Sequence, residues 1–144
     1  MKKRIIRLVS LFMATYCLLS TQVFALNDDN LQKADTSEGF VRTSHTTDLD
    51  LNGKFIYGAD VIAKQGASSC YCSIVIQQKN SDGEYVDVPG TFRSDYQLGR
   101  YASVQDVHFV YGGYWYRTQA TFIVIKDNKE YKTVQNSDQI WLPA

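Results

Sequence analysis

The sequence of 144 residues predicts an all-β fold, a β-sandwich of about seven antiparallel strands. Two observations support this prediction. From residue 40 onward, short runs of β-branched and aromatic residues are separated by turn residues at intervals of roughly 8 to 14 positions. The same region lacks the apolar repeat of an amphipathic helix. We therefore expect a β-sandwich domain over residues 40–144, with no helix after the leader.

The predicted strands follow these runs, the last of them at a sheet edge: Phe40–Ser44, Phe55–Lys64, Cys70–Lys79, Tyr85–Val88, Val104–Val110, Tyr114–Lys126, Glu130–Val134 and Gln139–Leu142. Two connections are predicted as hairpins because they hold the Asn, Asp and Gly residues that tight turns need. These are residues 80–83, after the third strand, and residues 127–129, after the longest strand.

Alternation along two strands predicts which side chains face the core, because successive residues of a strand point to opposite faces. In the longest strand the inward set is Tyr114, Tyr116, Thr118, Ala120, Phe122 and Val124. Trp115 and Arg117 are therefore expected to face outward. In the strand before residue 80 the inward set is Cys70, Cys72, Ile74 and Ile76.

The N-terminal 25 residues have the plan of a signal peptide, with a helical apolar segment. Basic residues precede an apolar run, Leu8–Leu19, and a polar exit ends in small residues at Val23 and Ala25. We expect cleavage between Ala25 and Leu26 and release outside the cell. The alternative is a membrane anchor, but a spanning helix needs about 20 apolar residues and this run is shorter and interrupted.

Residues 26–39 are polar and lack aromatic side chains, so we expect a flexible arm before the domain. Loss of four basic residues with the leader leaves 11 Lys and Arg against 15 Asp and Glu, a net charge of −4. Nucleic acid and anionic membranes need clustered basic residues, so neither is expected as a partner after cleavage. We expect a monomer.

The residues show no arrangement typical of catalysis, and we expect a non-enzymatic protein with no catalytic residue, metal site or cofactor. His45 and His108 are distant in the sequence, and each more often joins a hydrogen-bond network than titrates in a mechanism. Motifs for a serine nucleophile, zinc or phosphate are absent. Asp48 and Asp50 are too few to hold calcium, and a turn accounts for them more simply.

Cys70 and Cys72 remain once Cys17 leaves with the leader. Same-face neighbours on a strand lie about 6.5 to 7 Å apart at Cα, at the limit for a disulfide, so a bridge would need a bulge. We expect two buried free thiols. A strained disulfide, an intermolecular bond and a metal site are the alternatives, the last lacking further ligands.

Aromatic residues are abundant for so small a protein, and the full chain has 10 Tyr, 7 Phe and 2 Trp. Tyr and Trp are amphipathic, so Trp115, Arg117, Tyr131 and Trp141 are candidate contacts for a protein or carbohydrate ligand. The alternative is that the aromatics only pack the sheets and that Tyr116 is a corner residue whose hydroxyl ties down a loop.

Four segments carry a resemblance to a known family: Cys72-Ser-Ile-Val-Ile-Gln-Gln-Lys, Asn80-Ser-Asp-Gly, Tyr85-Val-Asp-Val and Gly113-Tyr-Trp-Tyr-Arg117. Over residues 54–142 the chain resembles a family of small secreted proteins of Gram-positive bacteria that have a Gly-Tyr-Tyr-Tyr-Arg signature. The resemblance implies an immunoglobulin-like or fibronectin-like sandwich of unknown function. Trp115 stands where the family has Tyr.

These features favour a secreted, non-catalytic binding or interaction module at the bacterial cell exterior. Two alternatives come from other classes. Small size and export would also suit an antagonistic, bacteriocin-like or toxin-like protein, and a divergent hydrolase would need a polar pocket around His108.

The leader generates the first prediction. Protein recovered from the culture medium should begin at Leu26 when its N-terminus is sequenced, because the signal peptidase reads the small residues before that position. An Ala25→Leu variant should be processed poorly for the same reason. An intact leader in the membrane fraction would contradict the predicted export.

Overall fold

The computed structural model describes residues 32–33 and 36–144, and this part of the chain is almost entirely β. The predicted leader, its Ala25–Leu26 cleavage site and most of the predicted arm lie outside the described residues. The elements are β1 (Gln32–Lys33), α1 (Thr36–Gly39), β2 (Phe40–Leu49), β3 (Lys54–Ala63), β4 (Ala67–Lys79), β5 (Tyr85–Asp87), β6 (Arg93–Leu98), β7 (Tyr101–Phe109), β8 (Tyr114–Lys126), β9 (Lys129–Asn136) and β10 (Ile140–Leu142).

The strands form two sheets that pack into a sandwich. The smaller sheet has the order β2-β3-β7. In the larger sheet, β8 and β4 lie at the centre. β9 and β10 pair with β8, while β5 and β6 pair with β4. These pairings are antiparallel, and β1 adds a short parallel pair to β9. The chain changes sheet after β1, β3, β6 and β7, and the two packed, mostly antiparallel sheets confirm the predicted all-β sandwich.

Both predicted hairpins are present. Asp127 and Asn128 have φ angles of 53° and 58°, the positive values that a two-residue turn needs to match the twist of its strands. In the loop after β4, the backbone N–H of Asn80 donates to the Glu84 carbonyl at 2.8 Å, and the Asn80 side-chain oxygen accepts from the Glu84 N–H at 2.9 Å. The loop also contains Gly83 at φ 84°. Turn chemistry therefore determines both connections.

The sequence analysis missed β6, because its residues are mostly polar and do not read as a half-buried strand. Its side chains bind the neighbouring strand β7 instead of the apolar core. The Asp95 carboxylate accepts a hydrogen bond from the backbone N–H of Ser103 at 3.0 Å, and Arg93 pairs with Asp106. Such contacts protect the open edge of β7 from pairing with other chains.

The end of the predicted arm also differs from expectation. Residues 36–39 form the helical turn α1, and residues 32–33 pair with β9. Gly39 is buried at the end of that turn, where a Cβ atom would collide with the ring of Tyr131. Packing of this turn against the core ring of Tyr131 therefore orders the end of a segment whose polar composition predicts a flexible arm. Within residues 32–33 and 36–144, no helix is long and apolar enough to cross a membrane.

The core lies between the sheets and follows the predicted alternation. From the larger sheet it includes Cys70, Cys72, Ile74, Ile76, Tyr116, Ala120, Phe122 and Val124. The smaller sheet contributes Phe55, Tyr57, Ala59, Val61, Ala63 and Ala102. Thr118 is buried among these residues, and its hydroxyl is 2.6 Å from that of Thr47. Tyr114 is the exception to the predicted inward set, because at the first position of β8 it remains 42% exposed.

Tyr116 holds in place the loop between β7 and β8, which connects the two sheets. Its side chain is 1% exposed and packs edge-on against Phe55, with ring centroids 6.2 Å apart. The hydroxyl donates a hydrogen bond of 2.7 Å to the carbonyl of Tyr111. This is the tyrosine corner of immunoglobulin-like sandwiches, which confirms the corner interpretation of Tyr116.

The corner yields a test of folding energetics. Tyr116→Phe should lower the free energy of unfolding by about 0.5 to 1.5 kcal/mol, because it removes the hydroxyl that donates to the Tyr111 carbonyl and leaves the ring in place. Tyr114→Phe is the matched control on the same strand and should change the stability little. Chemical denaturation measures both, and equal stabilities of the two variants would contradict the assigned role of the hydroxyl.

Candidate binding surface

Two tryptophans form a pair on the outer face of the larger sheet. Trp141 on β10 is directly opposite Trp115 on β8, and their ring centroids are 5.5 Å apart with a tilt of 52°. Trp115 is 39% exposed and Trp141 46% exposed. Tyr116, the next residue after Trp115 on β8, is buried, and successive residues of a strand point to opposite faces, so Trp115 points outward. The structure therefore places both tryptophans on the solvent side, as the sequence predicts for Trp115.

Tyr85 on β5 extends across the same face. It pairs in register with Lys79, and its hydroxyl donates a 2.8 Å hydrogen bond to the side-chain oxygen of Gln139, which precedes β10. The Tyr85 side chain therefore connects β5, on one side of the central strands, with the residue before β10 on the other side. We call the surface formed by Trp115, Trp141 and Tyr85 the aromatic platform. Sequence analysis missed Tyr85, although its position opposite Lys79 across the 80–84 loop places it on the outer face.

Arg117 supports the aromatic platform from within the sheet. Its guanidinium carbon is 4.0 Å from the centroid of the Tyr85 ring, a cation–π contact. Its Nε donates to the side-chain oxygen of Gln77 at 2.9 Å, and the Gln77 amide donates to the Asp87 carboxylate at 2.9 Å. This network explains why Gln77 is only 7% exposed on an outward-facing position. Arg117 is thus half-buried and already engaged with protein groups.

The prediction that Tyr131 belongs to the same surface is wrong. Tyr131 is 2% exposed, pairs in register with Val124 and faces the core. On β9 its neighbours Glu130 and Lys132 take the outward positions. The short, mostly polar strand β9 has no apolar alternation that marks its buried face, and pairing with the inward-facing Val124 determines the orientation of Tyr131.

Cys70 and Cys72 point inward, as the alternation predicts, and both are buried free thiols. The Cys72 thiol donates a weak hydrogen bond of 3.5 Å to the carbonyl of Ala59. Burial raises the pKa of Cys72 to about 12, and the nearby Asp95 carboxylate acts in the same direction. Burial also raises the pKa of Cys70. Because the thiolate is the reactive form, these cysteines are poor nucleophiles in the folded domain.

The two histidines lie on strands that flank β3 and do not form a pair. His45 pairs with Ala59 and His108 with Phe55, which separates them by about 13 Å along the strand direction alone. The Nδ1 atom of His45 lies 3.4 Å from the side-chain oxygen of Gln135. In the described part of the chain, no group of three or more His, Cys, Asp or Glu side chains could hold a metal ion.

Asp50 acts in a turn. Its carboxylate accepts hydrogen bonds from the backbone N–H groups of Asn52 at 2.8 Å and Lys54 at 3.0 Å, between β2 and β3. Asp48 pairs in register with Ile56 on the outer face of the smaller sheet. The turn interpretation of the sequence therefore accounts for Asp50.

No protein-family model matches the chain, and no curated protein matches it significantly. The candidate site therefore rests on the geometry of the aromatic platform.

The buried thiols generate a labelling prediction. The mature native protein should resist alkylation at mildly alkaline pH, and denaturation without reductant should allow two groups to be added per mature chain, one at Cys70 and one at Cys72. A chain lighter by two hydrogens that resists labelling after denaturation would instead show a disulfide and a bulged β4.

The same thiols predict how stability changes with pH. The folded pKa of Cys72 lies above its ordinary value of 9.0, so its contribution to stability is present below pH 9.0 and decreases as the pH rises toward about 12. Cys72→Ala should therefore weaken the alkaline loss of stability relative to the unmodified protein, measured by denaturation at pH values on both sides of the ordinary pKa. An unchanged pH dependence would contradict the burial effect.

Proposed function

We propose that the chain is exported and that its mature domain is a non-catalytic binding module that recognises its ligand on the aromatic platform. The observation that carries the proposal is the pair of half-exposed tryptophans, Trp115 and Trp141, beside Tyr85 on one sheet face. Tryptophan and tyrosine are enriched at binding hot spots, where a few residues supply most of the binding energy.

Packing of the core does not account for these rings. The space between the sheets is filled by inward side chains of β3, β4 and β8, and both tryptophans lie on the opposite side of the larger sheet. Exposed apolar rings that adjoin one another on one face are typical of interaction sites, whereas single exposed apolar residues are not. The location of the rings therefore supports a binding role.

The aromatic platform is also held in place before any ligand arrives. Tyr85 is held at its ring by Arg117 and at its hydroxyl by Gln139, while the tryptophans contact each other. A surface whose side chains are already ordered loses less conformational entropy on binding. We further propose that the module belongs with the small secreted proteins of Gram-positive bacteria that the Gly113–Arg117 motif resembles, and that the bacterial cell exterior is its place of action.

The proposal is tested by separating binding from stability in one variant. Trp115→Ala should lower the free energy of unfolding by about 1 kcal/mol or less, as expected for an outward residue. Its binding to purified Gram-positive cell walls should fall roughly tenfold or more, as at a hot spot. Sedimentation with the walls and thermal denaturation supply the two measurements.

Phe109→Ala is the matched control, because Phe109 is 67% exposed on β7 in the other sheet. It should leave wall binding unchanged. A Trp115→Ala variant that loses about 3 to 5 kcal/mol of stability would identify Trp115 as a core residue and contradict the proposed site. Equal wall binding by both variants and the unmodified protein would also contradict it.

A further inference from the structure

We infer that the ligand class of the aromatic platform is a neutral glycan, an inference that rests on the proposed function and specifies it. Three features lead to this class: the extended arrangement of the rings on one sheet face, the engagement of Arg117 by protein groups, and the polar groups at the margin. Each feature is a property of side chains on the outer face of β10, β8, β4 and β5.

The rings lie side by side on one face of the larger sheet. Trp141, Trp115 and Tyr85 come from β10, β8 and β5, which with β4 make four strands side by side, a width of roughly 14 Å at the usual strand spacing. Such a row suits consecutive rings of an oligomer better than one small molecule. The C–H faces of sugar rings are flat and apolar, so they can stack on the faces of indole and phenol rings.

The guanidinium group of Arg117 is half-buried and already engaged by protein groups. One face of the guanidinium contacts Tyr85, Nε binds Gln77, and Gln77 binds the Asp87 carboxylate. An anionic ligand would have to compete with this network and would meet the carboxylate of Asp87. The net charge of −4 expected after leader cleavage also disfavours polyanions. The charge pattern therefore favours a neutral ligand.

The margin of the aromatic platform offers groups that match sugar hydroxyls. Asp87 is an exposed acceptor, and the Gln139 side chain carries amide donors beside the Tyr85 hydroxyl. Lys79 is the second cation, and its ammonium lies 5.9 Å from the Tyr85 ring centroid. A neutral glycan does not need the Lys79 charge, whereas an anionic polymer would depend on it. Lys79 is thus the residue that distinguishes the two ligand chemistries.

The test uses tryptophan fluorescence of the purified full chain, because its 2 tryptophans both lie on the aromatic platform. The neutral probes are cellohexaose, chitohexaose and mannohexaose. The comparison probes are hexagalacturonate, which is anionic, and a decaproline peptide. At least one neutral hexasaccharide should change the emission saturably. Its affinity should vary by no more than about twofold between low and high salt, because no ion pair is screened.

Variants identify the site of this binding. Trp115→Ala and Trp141→Ala should each weaken it roughly tenfold or more, and each retains one indole as the reporter. Lys79→Gln should change the affinity by no more than about twofold, because a neutral glycan forms no ion pair with the Lys79 ammonium. Phe109→Ala, outside the aromatic platform, should bind as the unmodified chain does.

Other outcomes overturn the inference in distinguishable ways. Binding only of hexagalacturonate, lost in Lys79→Gln, would show an anionic ligand, and binding only of decaproline would show a peptide ligand. Cell-wall binding that depends on Trp115 without any response to the neutral saccharides would overturn the glycan class and keep the proposed binding function. If neither saccharide binding nor cell-wall binding changes in the two tryptophan variants, both the glycan class and the proposed binding function are overturned.

Discussion

The antiparallel register of β4 against β8 is the constraint on which the rest of the structure depends. It runs from Ser69 opposite Ile125 to Gln78 opposite Tyr116. Because side chains alternate between the two faces of a sheet, this one register sends the cysteines and Tyr116 into the core and Trp115 and Arg117 outward. A slip by one residue would exchange these sets and expose the core face to water.

The same register assembles the aromatic platform from distant parts of the chain. β5 joins the free edge of β4 and supplies Tyr85, while β10 joins the free edge of β8 and supplies Trp141. Arg117 on β8 then contacts the ring from β5, and Gln139 binds its hydroxyl. Folding of the two central strands and ordering of the surface are therefore coupled: the interactions that hold Tyr85 in place exist only when both edges are paired.

Local patterning was sufficient for the fold class, the strands β3, β4 and β8, both hairpins and the outward position of Trp115, because each follows from alternation or turn chemistry within a short segment. The strand predicted over Phe40–Ser44 extends to Leu49 in the structure. Local patterning was insufficient where long-range contacts decide the outcome. The polar strand β6 is held by its contacts with Ser103 and Asp106, and the inward side of β9 is set by Val124. The engagement of Arg117 by Tyr85 likewise depends on residues more than thirty positions away.

The most direct test of the central claim is a nuclear Overhauser spectrum of the protein in solution, which reports proton pairs that are close in space. The account predicts cross-peaks between the indole protons of Trp115 and Trp141 and between the Tyr85 ring and the Arg117 methylene protons. Cross-peaks from the Trp115 indole to Phe55, the core ring that Tyr116 contacts, would instead show a slipped register and would contradict both the core and the aromatic platform.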